Sequence, residues 1–193
     1  MRIIAGKFRR RTLLTPPAEV RPTSDRARES LFNVIYSLEG SPLEGASVLD
    51  AFAGSGALGL EALSRGAVHV TFLEKNPRVA RTLTENIVNL GVGSQCAVMV
   101  SDATKPPKAP HPVSLVFLDP PYDQIVEGAC LTALHHQGWI QAHTLIVLET
   151  SAKRALSLPQ QAALIDQRRY GAALISFLRL RLDELTPDDR DAL

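Results

Sequence analysis

The run Asp50-Ala51-Phe52-Ala53-Gly54-Ser55-Gly56-Ala57-Leu58-Gly59 constrains this chain more than any other segment. It carries Gly-x-Gly-x-x-Gly directly after a short apolar run, Val48-Leu49, and directly before a helical pattern over residues 58–64. Glycines at that spacing allow a tight turn and let the backbone approach a nucleotide closely. An acid, Glu74, stands twenty residues beyond Gly54. A strand, glycine turn and helix in that order belong to an open sheet covered on both faces.

The rest of the chain repeats the alternation. Strands are expected at residues 68–73, 97–100, 113–118 and 144–148, with helices at 76–90 and 125–135. Gly91 ends the first of these helices. Two last strands, 163–168 and 172–181, are separated by Tyr170-Gly171 and should pair as a hairpin. Ahead of the glycine turn, Ser24 is a good N-cap for a helix with Ala27, Leu31, Val34, Ile35 and Leu38 on one face. Residues 3–5 and 12–14 suggest two short strands around a basic turn. Prolines at 106, 107, 110 and 112 occupy the place where a crossover helix normally lies. The expected fold class is α/β: a mostly parallel sheet, closed by an antiparallel hairpin.

Composition narrows the class further. With 193 residues, 45% of them hydrophobic and 21% charged, the chain fits one soluble domain with a short appendage. Two separated cysteines, Cys96 and Cys130, exclude a disulfide framework and a cysteine-rich zinc site, and point to a reducing, cytoplasmic setting. The five histidines show no metal-ligand spacing, so no metal is expected. The longest uncharged stretch, 128–148, contains His, Gln and Gly residues and reads as no membrane span; the first residues lack a secretory h-region.

Charge is balanced in total, at +1, but polarised. Residues 1–28 sum to +6 and residues 182–193 to −4. The expected organisation is a basic amino-terminal β-hairpin extension (1–20), a catalytic domain (21–182) and an acidic, solvated tail (183–193). Eight cations in 28 residues favour an anionic partner, nucleic acid first. Lys7, Arg9, Arg10 and Arg11 are the candidate nucleic-acid contacts.

The glycine turn alone fits a dinucleotide as well as S-adenosylmethionine. Asp50 decides between them. A carboxylate at the end of the first strand repels a pyrophosphate in a partly desolvated cleft but attracts an ammonium and a sulfonium. Glu74, ending the second strand, is placed for ribose hydroxyls, and Asp102, after the third, for the adenine amine. One such acid reads equally well as a cap; three at consecutive strand ends read as a site. Phe52, Gly54, Ser55, Gly56 and Ala103 complete the expected cofactor pocket.

Asp119-Pro120-Pro121-Tyr122 follows the fourth strand. A nucleobase amine is a poor nucleophile because its lone pair is delocalised into the ring. The Asp119 carboxylate and the Pro120 carbonyl can accept its two hydrogens and aim that lone pair. Tandem prolines hold the backbone and carry no competing N–H. Tyr122 offers a face for an extruded base. Trp139 and the two cysteines read as packing residues.

With these motifs in place the chain resembles the RsmD family of bacterial methyltransferases. The likeness rests on Arg2-Ile3-Ile4-Ala5-Gly6, Arg21-Pro22-Thr23-x-Asp25-Arg26-x-Arg28-Glu29, Leu31-Phe32-Asn33, residues 50–63, Asp119 to Tyr122, Arg169-Tyr170-Gly171 and Phe177. It implies a seven-stranded class I, Rossmann-like methyltransferase fold with an amino-terminal hairpin. It also implies S-adenosylmethionine as cofactor, S-adenosylhomocysteine as product, and methylation of guanine N2 in 16S ribosomal RNA of the small subunit or an assembly intermediate. It implies that Arg21 and Arg26 either face the RNA or brace the cofactor pocket, and no obligate protein partner follows from it. Where family members carry Arg-Gly-Arg, this chain has Arg9-Arg10-Arg11, so the local backbone near Arg10 is expected to differ. The alternatives are a DNA adenine-N6 methyltransferase, a non-catalytic RNA-binding assembly factor and, last, a dehydrogenase.

Overall fold

A computed structural model describes residues 1–16, 25–39, 43–121, 124–154, 156 and 158–181. The helices are α1 (Asp25–Glu39), α2 (Ala57–Ser64), α3 (Pro77–Leu90) and α4 (Glu127–His136). The strands are β1 (Ser47–Asp50), β2 (His69–Leu73), β3 (Cys96–Met99), β4 (Leu115–Leu118), β5 (Leu145–Ser151), β6 (Ala162–Tyr170) and β7 (Ala173–Leu180). They form one sheet in the order β3-β2-β1-β4-β5-β7-β6. The first five are parallel, and β7 runs antiparallel to both β5 and β6. The expected α/β class with its terminal hairpin is therefore present.

Alternation along the strands sorts side chains between two cores. Val48, Phe72, Phe117 and Val147 face α1, α2 and α3, and meet Leu31, Phe32, Leu60 and Leu83. Leu49, Val116, Leu118 and Ile146 face the other way, against Cys130, Leu131 and Leu134 of α4 and Trp139. α3 is bounded as its sequence dictates. The Asn76 side chain caps it by accepting from the Arg78 N–H at 2.9 Å, and Gly91 ends it in the left-handed region at φ 72°.

The proline-rich stretch has no helix, because its prolines supply no N–H donors to build one. It is pinned instead through the buried Trp139, whose Nε1–H donates to the Pro107 carbonyl at 2.7 Å.

The amino-terminal segment makes one isolated antiparallel bridge, Arg2 with Thr12, rather than two strands. Its N–H groups are drawn to α2. Those of Ile4 and Ala5 donate to the Glu61 carboxylate at 2.7 and 3.0 Å, and that of Lys7 donates to the Ser64 carbonyl at 2.7 Å. Glu61 is fully buried and also accepts from Arg65 Nε at 2.7 Å. Ile3 and Leu13 are buried in the first core, so the segment is a docked ribbon.

Arg10 adopts φ 69°, the one non-glycine residue with positive φ among the described residues. The turn therefore keeps the shape that the family's glycine would take, with a side chain that disfavours it. Arg10→Gly is expected to stabilise the fold by about 0.5–1 kcal/mol in chemical denaturation, and Arg10→Val to destabilise it.

Candidate active site

Parallel strands end together, so the residues that terminate them share one edge. Asp50 ends β1, opposite Phe72 of β2 and Phe117 of β4. Asp119 lies two residues beyond Phe117, on the same face. The last β4–β5 pair is Leu118 with Leu148, which sets Asp119 beside Glu149. Glu74 follows directly after β2. Four carboxylates thus line the carboxyl edge of four adjacent strands, β2, β1, β4 and β5, which is where open α/β sheets hold ligands. Glu149 is the member that the sequence reading missed. Its signal was an acid continuing the inward alternation Leu145, Val147.

The glycine turn sits over this edge. Gly56 has φ 82°, and a Cβ there would fall 2.3 Å from Leu83 Cδ1. Gly59 lies against the sheet, where a Cβ would stand 2.3 Å from the Phe72 ring. This close approach lets the Gly59 N–H donate to Asp50 Oδ2 at 3.0 Å. The Gly54 N–H donates to Glu74 Oε2 at 2.9 Å, and the Asn76 N–H to Oε1 at 2.7 Å. Each Glu74 oxygen keeps a further lone pair for a ribose hydroxyl. Phe52 is half-buried against the second core, and the Ser55 hydroxyl points to Met1 Sδ at 3.7 Å.

The electrostatics follow from crowding. Asp50 is buried, and burial lifts its pKa to about 7; the Gly59 N–H opposes this, and the Glu74 charge adds to it. Asp119 is half-buried and is held well above the ordinary carboxylate range, by desolvation first and then by the Glu149 and Asp50 charges. No side-chain hydrogen bond reaches the Asp119 carboxyl among the described residues, so among them it stays open as an acceptor.

Asp102 stands apart from this group. Lys75 Nζ reaches its Oδ2 at 2.6 Å, and the Thr104 N–H and hydroxyl donate to its Oδ1. These bonds, Lys75 first, pull its pKa down to about 2, so Asp102 is a fixed anion at the rim, with Ala103 buried beside it. Pro120 is buried and Pro121 exposed, with the Gln124 N–H donating to the Pro121 carbonyl at 3.0 Å. Tyr122 and Arg21 lie outside the described residues.

The basic residues lie elsewhere. Lys7, Arg9, Arg10 and Arg11 are exposed on the turn of the ribbon, which is anchored at Ser64. That is the far end of α2 from the glycine turn, about 12 Å away for eight helical residues. Arg11 Nη2 also donates to the Asn89 carbonyl at the end of α3. Arg26 is exposed near the start of α1.

The family model described as conserved hypothetical protein 95 matches residues 1–179. The ribosomal RNA small subunit methyltransferase D of Haemophilus influenzae is 36% identical over 177 residues, 89% of each chain. The chain belongs to the RsmD family. The Escherichia coli K12 protein of the same name is 36% identical over 157 residues, covering 81% of this chain and 77% of its own.

Among solved structures, the Escherichia coli chain yhhF, assigned as a methyltransferase, superposes with TM-score 0.79 at 32% identity, covering 93% of this chain and 97% of its own. An RNA methyltransferase of Salinibacter ruber, solved with S-adenosyl-L-homocysteine, shares the fold alone, at 14% identity and TM-score 0.64. The RsmD match takes in both the ribbon and nearly all of the terminal hairpin. Among the described residues no helix is long and apolar enough to cross a membrane, and no cluster of His, Cys, Asp or Glu is arranged to hold a metal ion.

Proposed function

We propose that this RsmD-family chain uses S-adenosylmethionine to methylate the exocyclic N2 amine of one guanine in 16S ribosomal RNA, within a small ribosomal subunit or its assembly intermediate in the cytoplasm. The observation that carries this reading is the juxtaposition of Asp50, under the glycine turn, with an unengaged Asp119 on the neighbouring strand. Carboxyls crowded enough to raise one another's pKa are relieved by positive charge, so the donor set suits a sulfonium and an ammonium and opposes a pyrophosphate. The names of the relatives support ribosomal RNA as the substrate.

When bound, S-adenosylmethionine supplies an electrophilic methyl group. The chain supplies position. Asp50 takes the amino-acid end, Glu74 the ribose and Asp102 with Ala103 the adenine, while Phe52, Gly54, Ser55 and Gly56 form the cradle wall. Asp119 accepts one amine hydrogen while the Pro120 carbonyl accepts the other. That arrangement turns the nitrogen lone pair toward the cradle. The same carboxylate can take the proton shed by the methylated amine. Tyr122 stacks on the extruded base. Lys7, Arg9, Arg10, Arg11, Arg21 and Arg26 hold flanking phosphates.

The test is methyl transfer. Tritiated S-adenosylmethionine should label small subunits lacking the modification, digestion should yield N2-methylguanosine, and duplex DNA should stay unlabelled. Label appearing only in DNA would overturn the reading. Glu74→Ala should weaken S-adenosylhomocysteine binding about tenfold by titration calorimetry, the loss expected for one charge-assisted contact.

A further inference from the structure

Between Pro121 and α4 the chain carries Ile125, which is 73% exposed and the most exposed of the large apolar side chains among the described residues. The next residue, Val126, packs on the second core and its carbonyl accepts the Cys130 N–H at 2.8 Å, so the stem of the loop is fixed. The loop is also gripped from outside. Arg154, three residues past the end of β5, donates from Nη1 to the Gln124 carbonyl at 2.9 Å and from Nη2 to Glu127 Oε1 at 2.9 Å. Glu127 is 1% exposed, so this ion pair is largely shielded from water. One guanidinium therefore holds the residue before Ile125 and the second residue after it.

A braced loop with a bare β-branched tip needs a reason, because exposing that tip forgoes burial and bracing it removes the freedom to turn inward. Ile125 follows Asp119 by six residues, on the connection that leads from the proposed base site to α4. A base drawn out of an RNA stack leaves an apolar gap between its former neighbours, and Ile, Leu, Met and Phe are the side chains that fill such gaps. We infer that Ile125 is a wedge that enters the RNA beside the extruded guanine, and that Arg154 is its positioning residue. The inference rests on the reading of Asp119 to Tyr122 as the base site.

Steady-state methylation of small subunits separates the possibilities. Ile125→Ala should lower kcat about tenfold with KM nearly unchanged, because a wedge acts on the extruded state rather than on docking. Ile125→Met should keep most of the activity. Arg154→Ala should lower kcat to a similar degree, and the double variant should be no slower than the worse single one, since both act through the same contact. Arg154→Lys, which keeps a charge against Glu127 but loses the fork, should fall between. S-adenosylhomocysteine affinity should hold throughout. A raised KM with normal kcat in Ile125→Ala would point to a docking contact with a ribosomal protein and would overturn the wedge, as would multiplying losses in the double variant. If Asp119→Ala kept normal turnover, the base site itself, and the wedge with it, would be overturned; loss in Asp119→Ala beside normal kcat in Ile125→Ala would remove the wedge alone.

Discussion

Asp119→Ala is expected to lower methyl transfer about 100- to 1000-fold while leaving S-adenosylhomocysteine affinity within about twofold of wild type, because the lost acceptor acts on the amine and not on the cofactor. Asp119 is the right target because its carboxyl accepts no hydrogen bond among the described residues, and its substitution orphans no donor there. The fold should tolerate the change well. Burial, Glu149 and Asp50 all disfavour its charge, so removing it relieves crowding. Asp119→Asn is the sharper variant: it keeps the shape and one acceptor but brings an NH2 toward an NH2, and it should be as slow as the alanine. Single-turnover rates on small subunits, read beside calorimetric titration of S-adenosylhomocysteine, check both statements. Turnover within about threefold of wild type in either variant would mean that amine orientation lies elsewhere.

Asp50→Asn should reverse its effect between the free and the liganded chain. A carboxyl with a pKa of about 7 in the folded state and about 4 when unfolded binds its proton more tightly in the folded state. The stability it contributes is therefore complete below about pH 4 and is lost as pH rises through 7. Asparagine cannot ionise, and its Oδ1 can still accept from the Gly59 N–H. The variant should come closest to wild type near pH 4 and exceed it at pH 8 by about 1–3 kcal/mol, below the ~4 kcal/mol that a shift of three units would set as a ceiling. Ligand binding should run the other way. Wild type should bind S-adenosylhomocysteine more tightly as pH rises from 6 to 8 and Asp50 ionises against the ligand ammonium. Asp50→Asn should bind about 10- to 100-fold more weakly at pH 8 and lose most of that slope. Denaturant titrations and calorimetry at the two pH values decide it. A variant with wild-type affinity at pH 8 would take Asp50 out of the pocket.

Much of the fold was legible because it is written in local period. Residues 76–90 carry a helical repeat and a stop at Gly91, and the helix Pro77–Leu90 ends at that glycine as expected, with Asn76 as its cap. Strand ends were legible too, and with them the alignment of Glu74, Asp50 and Asp119, because parallel strands joined by short crossovers must end on one edge. The chemistry of the glycine turn belongs to the same level: a spacing of glycines and the acid before it.

What the sequence could not supply depends on distances between residues far apart along the chain. Glu149 is an ordinary acid near the end of a strand until the sheet order sets β5 beside β4. Burial lifts the Asp119 carboxyl, and that neighbour, with Asp50, adds to the lift. The basic turn reads as the tip of a β-hairpin extension until the Glu61 and Ser64 acceptors on α2 claim its N–H groups and dock it at the far end of that helix from the glycine turn. Arg154 lies 30 positions from Gln124 and 27 from Glu127, and reaches both only because β5 returns beside β4. Local backbone preference and hydrophobic period act over a few residues, so the chain encodes its elements and their ends by itself. Charge coupling and bracing fall off with distance in space, so they came into being only when the sheet closed.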